Sequence, residues 1–195
     1  MITFGTPKHH WNYFLAIEKD LEHLSRYIEF SDANLGTYSI ELTHLFLSAS
    51  SEVDVVMKQL CALVDPTQVT NNINEYKTVI QNDLNQFINE GISIDRFGLS
   101  YQPWINWNGV QNPNWWRSYN NVKHERNIHF NEANLQNTIN AIGGLLITVI
   151  YYYKFAFTHE AGYDIDFRET TLQLHPEASI MRINADYYHH YLIEE

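Results

Sequence analysis

Cysteine is nearly absent from this chain. The one residue, Cys61, among 195 excludes an intrachain disulfide. It lies in a periodic apolar segment and reads as a small buried side chain. No apolar leader with a cleavage site follows Met1, and with so little cysteine the expected setting is reducing and cytoplasmic. Positive charge is scarce as well: 12 Lys and Arg stand against 23 Asp and Glu, a net charge of −11. That balance counts against nonspecific binding to bulk DNA or RNA, which uses a basic surface, and leaves open only a local basic groove. The Gly-x-x-x-x-Gly-Lys, Gly-x-Gly-x-x-Gly and Gly-x-Ser-x-Gly patterns are missing, and with them the P-loop, dinucleotide and serine hydrolase signatures. There is no tight Cys/His cluster. His9-His10 and His189-His190 are adjacent pairs whose side chains diverge in regular structure, and His124 and His129 are five apart rather than four. Neither a metal nor a cofactor is expected.

What the chain does have is helical periodicity. Hydrophobic residues make up 45% and charged residues 18%, the balance of a globular protein. Trp11, Phe14, Ile17, Leu21, Leu24 and Ile28 step by threes and fours, predicting a first helix of about six turns. Leu42, Phe46, Ala49, Val53, Val56, Leu60 and Leu63 form a second seam, closed by Asp65-Pro66. Ile73, Tyr76, Ile80, Leu84 and Phe87 form a third, with Gly91 as its expected cap. Asn114 suits the N-cap of a fourth helix, and Asn131 marks the start of a fifth. That fifth helix carries Leu135, Ile139, Ile142, Leu146, Val149 and Tyr153 on one face and Ala141, Leu145, Thr148 and Tyr152 on another. A helix apolar on two faces is central or shared with a partner. Gly143-Gly144 within it predicts close backbone approach or a kink. Residues 141–157 are apolar but short for a membrane span, so they read as a core helix and no membrane is expected.

Beyond residue 157 the pattern weakens. The runs from Thr171 to His175 and from Ser179 to Asp186 alternate apolar and polar residues, which predicts short strands or an extended tail around a turn at Pro176. The expected fold is therefore all-α: an up-and-down bundle of about five helices over 1–157, with a C-terminal appendage over 158–195 that is not an independent domain. Residues 91–114 break the periodicity and hold Trp104 and Trp107. These either plug the end of the bundle or, with Trp115 and Trp116, line a small-molecule pocket.

One stretch stands apart from the acidic background. Residues 116–129 hold Arg117, Lys123, His124, Arg126 and His129. Seven helical steps close to within about 20° of two turns, so Arg117 and His124 leave the same face, with Asn121 between them. A fixed cation beside a group that titrates near neutral pH suits work on phosphate esters. Lys123, Arg126 and His129 fall on other faces, where they would steer an anionic ligand. Glu52 and Asp54, beside the second seam, are candidates to hold Arg117 or fix the His124 tautomer. The same carboxylates would serve equally in a purely structural pair with Arg117 and His124.

The segment from Arg117 to His124 resembles the Arg-x4–6-His motif of the HEPN superfamily, and the helical pattern from Trp11 to Tyr153 resembles its bundle. Ser118 stands where that family often has Asn. The resemblance implies a homodimer with the motif near its interface and a metal-independent endoribonuclease or RNA-binding protein of a defence or stress system, with an antitoxin-like protein as a further partner. It also implies roles. His124 would be general base or acid at a ribose 2′-hydroxyl or the leaving oxygen, and Arg117 would stabilise phosphoryl charge. Asn121 would orient phosphate or imidazole. The other expectation is a non-catalytic helical protein for dimerisation or interaction.

Overall fold

The computed structural model describes residues 7–188 and is mostly helical. Seven α-helices occur among the described residues: α1 (His9–Leu24), α2 (Ile40–Val64), α3 (Ile73–Asp83), α4 (Asn85–Asn89), α5 (Asn114–His129), α6 (Leu135–Ala161) and α7 (Phe167–Gln173). Two short strands, β1 (Ile92–Ile94) and β2 (Leu99–Tyr101), pair antiparallel with Ser93 opposite Ser100.

Local chemistry sets most boundaries. The Ser39 side chain accepts from the Leu42 N–H at the start of α2, and Asn72 accepts from the N–H groups of Asn74 and Glu75 at the start of α3. These bonds satisfy donors that the first turn of a helix leaves free. Asn134, not Asn131, caps α6 by accepting from Asn137. Gly162 ends α6 at φ +76°, where a side chain would be strained. Two expected boundaries move. The first helix ends at Leu24, a turn before Ile28. The third breaks at Leu84 (φ −135°, ψ 49°), so Phe87 belongs to α4, and Gly91 is not a left-handed cap. Asn114 is the first residue of α5 and follows Pro113; its side chain makes no cap bond.

α2 and α6 form the centre and run in the same direction. The Thr138 hydroxyl faces the Leu42 carbonyl at one end, while at the other His10 touches both Gln59 and Tyr152. α1 runs opposite to α2, since His10 meets Glu52 and Leu24 lies beside Ser39 and Glu41. α5 runs opposite to α6, with Trp115 against Gly144 and Asn121 reaching Glu132 just before α6 begins. α6 is long and apolar enough to span a membrane by length and composition alone, yet most of it is buried inside the fold.

Gly143-Gly144 marks close approach, and α6 is unbroken there. A Cβ on Gly143 would lie 2.7 Å from Ile92 Cγ1, and one on Gly144 would lie 3.0 Å from Trp115 Cζ2. Trp104 and Trp107 are fully buried, their rings 4.4 Å apart, and the Trp104 indole donates to the Gly144 carbonyl. The long connection after β2 is thus a core plug. Cys61 is buried too, and burial pushes its thiol up to about 12, against a lowering hydrogen bond from Thr70.

The C-terminal segment departs from the expected strands. Thr171 and Leu172 lie in α7, which Asp166 caps through the Glu169 N–H. Among the described residues from Ser179 onward, a single bridge forms, between Arg182 and Ser93. Leu174, Ala178, Met181 and Ile183 join the same core as the helices. Glu18, buried in α1, fixes this segment: its carboxylate accepts from the Ser179 N–H and hydroxyl and from the Ile180 and Met181 N–H groups. A second buried carboxylate, Glu90, accepts from the Tyr151 and Tyr187 hydroxyls. Burial and the adjacent carboxylate hold both phenols well above their usual range.

Candidate functional site

α5 has two faces with different duties. Trp115, Ser118, Tyr119 and Val122 step by three, one and three and are buried. Arg117 and His124 are exposed on the opposite side. The helical backbone holds as far as His124 and breaks at Glu125 (φ −135°, ψ 50°). Arg117 and His124 therefore share a face, as their spacing predicts, separated by about 10 Å of helix rise. They do not touch. Among the described residues, the Arg117 guanidinium reaches only the Asn114 side chain, at 3.5 Å. His124 makes no hydrogen bond or ion pair with another described residue.

The neighbouring candidates are engaged elsewhere. The half-buried Asn121 amide donates to both Glu132 oxygens, at 3.2 and 3.1 Å. His129 Nδ1 lies 2.7 Å from Glu132, and its Nε2 lies 3.6 Å from Glu125. Burial raises the Glu132 pKa, but hydrogen bonds from Ser118, Asn121 and His129 outweigh it and leave the carboxyl below its ordinary value. This cluster ties the end of α5 to the start of α6. Asn121 and His129 are accordingly occupied by structure. The Lys123 ammonium sits 5.3 Å from the Tyr119 ring, and Arg126 is exposed.

Glu52 and Asp54 lie away from this face. Glu52 Oε1 is 2.6 Å from His10 Nδ1, and Asp54 is beside Tyr76, whose phenol it helps burial to push up. The structural pair of Arg117 and His124 with these carboxylates does not form. Nor do the tryptophans enclose a pocket. Trp104 and Trp107 are 0% exposed, and Trp115 borders a cavity of about 380 Å³ beside Pro103 and Asn137. Among the described residues, no group of three or more His, Cys, Asp or Glu side chains is placed to hold a metal ion.

A groove of about 960 Å³ lies elsewhere, between α1 and α2. Its α1 wall includes Tyr13, Ala16, Asp20 and His23, spaced by threes and fours, and Tyr27 continues the row in the turn just past the helix. Its α2 wall presents Glu41, His44 and Ser48 at the same kind of spacing. Each set is one helix stripe. Ile17 and Leu45 are buried at the base, with Leu24 and Ile28 half-buried above them. Sequence reasoning passed over this stripe because it is less apolar than the parallel row from Trp11 to Leu24. The signal was present in its 3.5-residue spacing. A smaller cavity of about 480 Å³ lies at the other end of α1, beside His10, Tyr152 and Phe157.

Comparison of the chain with family models, curated proteins and solved structures finds no match.

Proposed function

We propose that this protein is an interaction module that receives a helix in the groove between α1 and α2. The observation that carries this reading is the pair of facing helical stripes over an apolar base. Two helices that diverge leave a trough into which the side-chain ridge of a third helix packs. An amphipathic helix laid along such a trough buries its apolar stripe and needs no new backbone pairing. Ala16 is exposed in the groove, so Ala16→Trp fills the trough without touching the core. A labelled amphipathic peptide with a neutral polar face should bind the native protein and lose binding to Ala16→Trp. Equal binding to both proteins would remove the groove from the reading.

A second reading rests on Arg117 and His124, which are exposed, unpaired by carboxylates and on one face of α5. It is a HEPN-like bundle that dimerises and cleaves or binds RNA without metal, in a defence or stress system with an antitoxin-like partner. His124 would move the 2′-hydroxyl proton and Arg117 would bind the phosphoryl oxygens. Incubation with mixed single-stranded RNA in EDTA tests it. Cleavage by the native protein and not by His124→Ala supports it, and intact RNA in both lanes counts against it.

A further inference from the structure

We infer that the helix seated in the α1–α2 groove is basic: an amphipathic segment with Lys or Arg flanking its apolar stripe. The inference rests on the groove being a helix-accepting site. It adds the chemistry of the partner.

Three observations carry it. The lining holds two carboxylates, Asp20 and Glu41, both exposed, and no Lys or Arg. Tyr13 on α1 and Tyr27 in the turn just past it are 45% and 72% exposed along the groove. Aromatic faces attract guanidinium and ammonium groups through the ring quadrupole, and carboxylates in the same lining add attraction through charge. The whole chain carries −11, a field that draws cationic segments in and repels a second copy of itself. A self-association through this groove would also set Asp20 and Glu41 against the same acidic rim. The base, with Ile17 and Leu45, takes the apolar stripe of the partner.

The test uses the full chain and three labelled peptides of about 18 residues, long enough to lie along the α1 wall. One has a Leu stripe with a Lys/Arg polar face. One has the same stripe with a Glu polar face. The third is the basic peptide scrambled to destroy the stripe. Fluorescence anisotropy at neutral pH should show the basic amphipathic peptide binding about tenfold more tightly than either of the others. The exposed double substitution Asp20→Lys, Glu41→Lys should erase that preference while circular dichroism shows an unchanged fold. Equal affinity for the basic and acidic stripes, or no response to the double substitution, overturns the charge assignment and leaves the groove reading standing. A scrambled peptide that binds as well as the intact one, or binding untouched by Ala16→Trp, overturns the groove reading itself. Sedimentation covers the remaining occupant: a concentration-dependent dimer abolished by Ala16→Trp gives the groove to a second copy and overturns the inference.

Discussion

α2 packs against both α6 and α1, and the two contacts differ in kind. Against α6 it is closed. The facing residues there are small or apolar, such as Ala49, Val53, Ala141 and Ile142, all fully buried. Against the outer stripe of α1 and the turn after it, α2 stays open, because Tyr13, Asp20, His23 and Tyr27 are bulky or polar and face a trough. α1 is nevertheless held firmly, by its other face, where Trp11, Phe14, Glu18 and Leu21 are buried. Folding uses one side of α1 and leaves the other free. Residues that anchor should therefore be separable by mutation from residues that bind.

Glu18 offers the strongest way to break this division. Its carboxylate satisfies three backbone N–H groups and one hydroxyl of the C-terminal segment, from a site 1% exposed. Glu18→Ala orphans those donors and leaves a void, at a cost of about 3–5 kcal/mol. The loss should appear as a lower urea midpoint, and a change under 1 kcal/mol would mean that α1 is anchored by other means. Where α6 meets β1, Gly143→Ala sets a Cβ 2.7 Å from Ile92 Cγ1. The helix gains about 1 kcal/mol of propensity, and the forced shift of Ile92 costs more, for a net loss of about 1–2 kcal/mol. A stabilised Gly143→Ala protein would show that the contact between α6 and β1 has slack.

The two sides of α1 also differed in how readily they could be read. The seams of α2 and α6 were legible because every third or fourth residue is apolar, and burial repeats that count. The exposed Arg117/His124 face was legible for the same reason. Glu18 was not, because a Glu beside Lys19 and Asp20 reads as solvated. Its spacing from Phe14 and Leu21, four and three residues, placed it on the buried stripe all along. Glu90 was hidden because its partners Tyr151 and Tyr187 are 61 and 97 residues away. α7 was misread as a short strand or extended tail because at seven residues it is too short for periodicity to outweigh a local alternation. The Asp166 cap with Glu169 three residues on was the better signal. Asn121 and His129 were assigned to a ligand because nothing in the sequence shows that Glu132 folds back against them.

The α5–α6 junction sharpens the contrast through charge. Glu132 is held below the ordinary 4.5 of a carboxyl by its hydrogen bonds from Ser118, Asn121 and His129. A carboxyl whose pKa is lower in the folded state lends stability that is complete above its unfolded value. That stability fades as pH falls through the folded value. Urea midpoints of native protein and Glu132→Gln should therefore differ at pH 7 and converge toward pH 3. A constant difference across that range would show that the contact does not depend on the charge of Glu132.

The smallest stability effect should come from the open side, and there it is the most informative. Tyr27 is 72% exposed and lines the groove without joining the core. Tyr27→Ala should shift stability by no more than about 0.5 kcal/mol, as surface substitutions usually do. Peptide affinity should nonetheless fall several-fold, because truncating an aromatic anchor removes contact area at the interface. Glu18→Ala predicts the opposite ordering, a large loss of stability with groove chemistry unchanged wherever the fold survives. If Tyr27→Ala destabilised the protein as much as Gly143→Ala does, the groove would be part of the folding core. The open contact would then be a loosely packed version of the closed one. If stability holds and affinity drops, the trough between α1 and α2 is surface that the fold leaves open for a partner.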